Sequence, residues 1–67
     1  MSVWVCEYSV TQGCFHVDTL GKVLEVNRVA ALEGVNPGYV ILGIFGTQRE
    51  ASDFAKRWEQ IMKENYS

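Results

Sequence analysis

The sequence has 67 residues, of which 48% are hydrophobic and 21% are charged, and its net charge is −2. A chain of this length buries a small core, so we expect one small domain spanning residues 1–67. Because neutralisation of phosphates by Lys and Arg dominates nucleic-acid binding, the weakly negative charge argues against direct contact with nucleic acid.

No stretch of the sequence has the pattern of a targeting or membrane segment. The N-terminal residues lack the basic region of a signal peptide. The uncharged stretch 35–48 is interrupted by Asn36-Pro37-Gly38 and is too short to cross a bilayer. We therefore expect a cytoplasmic protein with no membrane partner, in which Cys6 and Cys14 are free thiols.

Residues 3–10 and 14–18 predict the two strands of a β-hairpin, with Gly13 supplying the positive φ that a tight turn needs. If Val10 pairs with Phe15, burial of the apolar side chains fixes this register. One face of the hairpin is then apolar and holds Trp4, Cys6, Tyr8, Val10, Phe15 and Val17. The other face holds Val3, Val5, Glu7, Ser9, Cys14, His16 and Asp18.

Residues 19–33 fit a helix better than a strand. As a helix, the segment is capped by Asp18 or Thr19 and ends at Gly34, and it has one apolar stripe. The stripe holds Leu20, Val23, Leu24, Asn27, Ala30 and Ala31. The alternative is a strand over residues 22–29, but neither of its faces would be uniformly apolar.

Residues 39–45 predict a third strand, which leads into the helix 47–62. Thr47 and Glu50 have the spacing of a capping box, which marks the start of that helix. The strand is apolar on both faces, as in strands that are covered on both sides. Regular alternation would place Val40, Leu42 and Ile44 on one face and Tyr39, Ile41 and Phe45 on the other.

The element order is therefore ββαβα, and the fold class is α+β. We expect a three-stranded, mainly antiparallel sheet with two helices packed on one face. The pattern leaves open which face of strand 39–45 the helices cover. Whichever face they cover, the other face displays an apolar set of side chains from this strand.

The residues that could take part in catalysis or bind a ligand give only weak signals. Cys14, His16 and Asp18 share one face of a strand, but they are too few for a zinc site. A nucleophilic pair requires a hydrogen bond between Cys14 and His16, which strand spacing does not supply. A phosphate could approach the turn from Gly43 to Thr47, yet Glu50 occupies the same backbone amides. We expect no enzyme activity, cofactor or metal; thiol- or metal-dependent activity at Cys14 and His16 is the alternative.

The predicted function is a non-enzymatic protein–protein interaction module that acts through the helix-free sheet face, as a homodimer. An exposed apolar patch marks a partner or self-association site. The predicted interface residues are Val3, Val5, Tyr39, Ile41 and Phe45. The alternative is a small acidic inhibitor or adaptor that docks on a basic surface of a larger nucleic-acid-handling protein.

Overall fold

A computed structural model describes residues 2–66, apart from the side chain of Tyr66. Its elements are β1 (Trp4–Ser9), β2 (Cys14–Thr19), α1 (Leu20–Glu33), β3 (Tyr39–Phe45) and α2 (Gln48–Tyr66). The three strands form one open antiparallel sheet in the order β2-β1-β3. The predicted α+β class and the order ββαβα are confirmed. None of the helices in the described residues is long and apolar enough to cross a membrane.

The hairpin of β1 and β2 has the predicted faces but a different register. Tyr8 pairs with Phe15 and Cys6 pairs with Val17, so the predicted pairing of Val10 with Phe15 is wrong by two residues. A shift of two residues keeps every side chain on its own face, because side chains alternate with a period of two. Val10 instead lies in the turn, which Gly13 closes at a φ of 70°.

Helix α1 is confirmed over the alternative strand, and its ends follow the predicted chemistry. The hydroxyl of Thr19 accepts a hydrogen bond from the Lys22 amide, and Gly34 ends the helix at a φ of 71°. Its packing is sparser than predicted. Within α1 only Val23 and Ala30 are buried, and Leu24, on the predicted apolar stripe, is exposed. The helix contacts chiefly β2 and β1.

Helix α2 is the element that covers the sheet, since it contacts all three strands. The Thr47 half of the predicted capping box is present: Thr47 Oγ1 accepts from the Glu50 amide at 3.2 Å, and the Glu50 carboxylate accepts from the Thr47 hydroxyl and not from its backbone amide. Ala51 is fully buried, and the ring of Phe54 lies 5.0 Å from that of Phe45, centroid to centroid. The helix runs on to Tyr66, four residues past the predicted end.

Strand β3 contains a β-bulge, which changes the predicted faces. Opposite two consecutive residues of β1, Cys6 and Glu7, the partners in β3 are Gly43 and Ile41, so Leu42 is an extra residue. Regular alternation is therefore broken in the middle of β3, and neither predicted set of three side chains lies on one face. By their partners in β1, Val40, Gly43 and Phe45 face α2, whereas Tyr39, Ile41 and Ile44 face away from it.

Candidate interaction surface

The apolar side chains on the face opposite α2 form the main candidate surface. β3 is an edge strand, and on this face it exposes 44% of Ile41 and 58% of Ile44. Tyr39 is half-buried beside them, and Val3 is exposed near the start of β1. We call Val3, Tyr39, Ile41 and Ile44 the β3 surface.

Three of the five predicted interface residues belong to the β3 surface, and two do not. Val5 is fully buried between its neighbours Asp18 and Ile44, so it presents nothing to a partner. Phe45 faces α2 and packs against Phe54. Ile44 replaces it, because the bulge moves Ile44 to the face where Phe45 was expected.

The centre of this face is closed by a contact between the two outer strands. The rings of His16 on β2 and Tyr39 on β3 meet edge to face, with centroids 5.5 Å apart and planes at 86°. Glu7 pairs with His16 and Ser9 pairs with Tyr39, and both central residues are buried, at 8% and 1% exposure. The polar centre of the face is therefore part of the folded interior.

Burial of Glu7 changes its acid–base behaviour. Removal from water raises the pKa of the Glu7 carboxyl, because a charged carboxylate is poorly solvated there. His16 opposes this shift by attraction, and Asp18 adds to it by repulsion. Burial likewise raises the pKa of the Cys6 thiol on the α2 face, and the charge of Glu7 raises it further.

The structure brings Cys14 and His16 into contact, which strand spacing alone did not predict. Cys14 Sγ lies 3.4 Å from His16 Nε2, and Gln12 Oε1 lies 2.8 Å from the same nitrogen. Because an amide oxygen only accepts hydrogen bonds, His16 Nε2 carries a proton in this arrangement. A nitrogen that donates to Gln12 cannot at the same time accept the proton of Cys14, so in this arrangement Gln12 is the hydrogen-bond partner of His16 Nε2. Within residues 2–66, His, Cys, Asp and Glu form no group of three that could hold a metal ion.

Two further regions have concave or apolar surfaces. A cavity of about 480 Å³ lies between the hairpin and the end of α2, and it is lined by Tyr8, Gly13, Cys14, Phe15, Glu59, Met62 and Lys63. The second region, which we call the outer side of α1, comprises the exposed Leu24, Val26, Val29 and Leu32 of the helix and Val35 just after it. The sequence indicated neither region, because both depend on how loosely α1 and the end of α2 pack.

Comparisons with known proteins identify no relative. No family model matches the chain, and no curated protein or solved structure is significantly similar to it.

Proposed function

We propose that the protein is a non-enzymatic protein–protein interaction module that forms a homodimer through the β3 surface. The observation that carries the proposal is the exposure of Ile41 and Ile44 side by side on an edge strand. Edge strands of soluble proteins are usually protected by charges or proline, because they otherwise pair with another chain. The β3 sequence YVILGIF has neither.

The total exposed surface supports association. The chain exposes 4993 Å². A folded monomer of 7.6 kDa exposes about 4,300 Å² by the usual scaling with mass, so this chain exposes about 700 Å² more. One partner in a stable protein–protein complex buries about 800 Å². The excess is of the same order as this area, which supports burial of part of the surface in a complex.

The outer side of α1 is the competing surface, and the backbone favours β3 over it. The N–H and C=O groups within a helix are satisfied by the helix itself, so α1 offers side chains alone. An edge strand offers a row of backbone donors and acceptors in addition to its side chains. Ile41 and Ile44 combine both contributions at one place.

Sedimentation velocity over the micromolar range tests the proposal. We expect the wild-type protein to be a dimer and Ile44→Lys to be a monomer, because a charge cannot be buried without a partner. The matched control is Leu32→Lys on α1, whose parent side chain is 74% exposed; it should remain dimeric. Circular dichroism of each variant checks that it is folded. A monomeric wild type, or a dimer that Leu32→Lys dissociates and Ile44→Lys does not, would overturn the proposal.

A further inference from the structure

The backbone groups that β3 leaves free follow from the hydrogen bonds of β1. In an antiparallel ladder, the N–H and C=O groups of one residue point to the same neighbouring strand, and this direction alternates from one residue to the next. The Leu20 amide donates to Val3 O, so the backbone N–H and C=O groups of the odd-numbered residues of β1 point to β2. The Val10 amide donates to Gly38 O, so the even-numbered residues point to β3.

In β3, the residues paired with those even-numbered residues direct their backbone N–H and C=O groups towards β1. They are Phe45, Gly43 and Val40, which pair with Trp4, Cys6 and Tyr8. Ile41 and Ile44 pair with the odd-numbered residues of β1, so their N–H and C=O groups point away from the sheet. The two most accessible apolar side chains of β3 on this face thus belong to the residues whose backbone groups are free.

The β-bulge puts the two exposed isoleucines of this edge where they can pair with each other across a two-fold axis. Residues three apart in a regular strand lie on opposite faces, but the extra residue Leu42 puts Ile41 and Ile44 on the same face. When two copies of a strand pair about a two-fold axis, the side chains of two opposed residues must lie on the same face of the sheet. To form hydrogen bonds, the backbone N–H and C=O groups of both residues must also point away from their own sheet. Ile41 opposite Ile44 of a second copy meets both conditions, and it also sets Val40 opposite Phe45 on the α2 face.

We propose that two copies dock edge to edge through β3, with Ile41 of each copy opposite Ile44 of the other, to form one six-stranded antiparallel sheet. The inference rests on the proposed homodimer and specifies its geometry. Each of the two Ile41–Ile44 pairs exchanges two main-chain hydrogen bonds, as hydrogen-bonded antiparallel pairs do. The other edge of the sheet, β2, is less suited to self-pairing because it carries His16 and Asp18.

Pairwise disulfide cross-linking tests this register. The variants Ile41→Cys and Ile44→Cys are made in a Cys14→Ser background, which removes the exposed native thiol. Opposed residues of a hydrogen-bonded pair have Cα atoms about 5.5 Å apart, within disulfide reach. Identical positions in the two copies would be offset along the strands by the spacing of their partners Val5 and Glu7, two residues or about 7 Å, in addition to about 5.5 Å across the pair, which is beyond reach. We expect a mixture of the two variants to cross-link on oxidation and each variant alone to remain largely uncross-linked.

Amide hydrogen exchange gives a second readout that needs no substitution. The amides of Ile41 and Ile44 should become protected as the protein concentration rises, whereas those of Val40 and Gly43 should be protected at all concentrations. A dimer whose cross-links do not favour the mixture, or whose Ile41 and Ile44 amides exchange freely, would overturn the edge pairing and leave the proposed function in place. A wild-type protein that stays monomeric would overturn both.

Discussion

The imidazole ring of His16 and the phenol ring of Tyr39 lie 5.5 Å apart, centroid to centroid, although their strands are not neighbours. The two strands are separated by β1, so the contact passes over the middle strand. Beneath it lie Glu7 and Ser9, which are the partners of His16 and Tyr39 in the ladder. A small protein with few large buried side chains thus uses a cross-sheet ring pair to enclose its polar centre.

Removal of the Tyr39 ring should open this centre. We expect Tyr39→Ala to lower the free energy of unfolding by about 1–3 kcal/mol, through loss of the ring pair and of the surface that it covers. It should also lower the Glu7 pKa towards its ordinary value, because water regains access. Urea denaturation and carbon-13 NMR titration measure the two effects, and Tyr39→Phe, which keeps the ring, is the control. An unchanged Glu7 pKa in Tyr39→Ala would show that the ring does not enclose the carboxyl.

Glu7 should make stability depend on pH in the direction opposite to that of a salt-bridged carboxylate. Its folded pKa is raised above the ordinary 4.5, so between these two values the folded state binds more protons than the unfolded state. Stability therefore falls as the pH rises through that window and stays lower above it. Glu7→Gln should remove this component and be more stable than wild type at neutral pH. Urea denaturation at a series of pH values tests this, with the exposed Glu33→Gln as control; a less stable Glu7→Gln at neutral pH would contradict it.

The capping box of α2 should contribute measurably to stability, because this helix covers the sheet. Thr47 Oγ1 lies 3.2 Å from the Glu50 amide and 3.0 Å from Glu50 Oε1. Thr47→Ala removes both contacts and should cost about 1 kcal/mol, whereas Thr47→Ser keeps the hydroxyl and should cost little. Thermal unfolding of the two variants measures the difference. Equal losses in both would assign the effect to the lost methyl group.

The helices could be predicted from the sequence because their signals are local. Thr47 and Glu50 lie three residues apart, and Gly34 directly follows the last residue of α1, so short-range chemistry fixes these ends. The faces of the hairpin were likewise set by alternation. Its register was not, since pairing Phe15 with Tyr8 or with Val10 places the same side chains on the same face.

The faces of β3 could not be predicted from alternation, because every residue of YVILGIF except glycine is apolar. If the alternation of side chains shifts by one residue, no polar side chain moves to the wrong face. The bulge at Leu42 therefore cannot be recognised from the hydrophobic pattern. Gly43 is the one signal, because a glycine inside a strand often marks a bulge or a close approach of neighbours. For the same reason the sequence suggested Phe45 for the face opposite α2, where the structure places Ile44.

The two cysteines should differ in reactivity towards a thiol reagent. Cys6 is fully buried on the α2 face, whereas Cys14 is exposed at the start of β2. We expect one thiol per chain to react with maleimide in the native protein and the second to react only when the protein unfolds. Mass spectrometry of the labelled protein counts the modified thiols, and Cys14→Ser should abolish the fast reaction. Rapid labelling of Cys6 would mean that α2 leaves the sheet readily.

Two glycines should respond in opposite ways to the same substitution. A methyl group on Gly43 would lie 2.9 Å from two ring carbons of Phe45 and 3.4 Å from Phe54. Both rings pack between β3 and α2, so neither can move without loss of contact. Gly43→Ala should therefore cost about 1–3 kcal/mol of unfolding free energy.

Gly21, in the first turn of α1, is the matched control for this added methyl. It has no atom within 4 Å of an added Cβ and no positive φ, so Gly21→Ala should raise stability by up to about 1 kcal/mol through helix propensity. Urea denaturation of the two variants, at a concentration where both have the same association state, measures the pair. A neutral Gly43→Ala would mean that the rings of Phe45 and Phe54 repack freely, and the close approach of α2 to the bulged strand would then not be what requires glycine at this position.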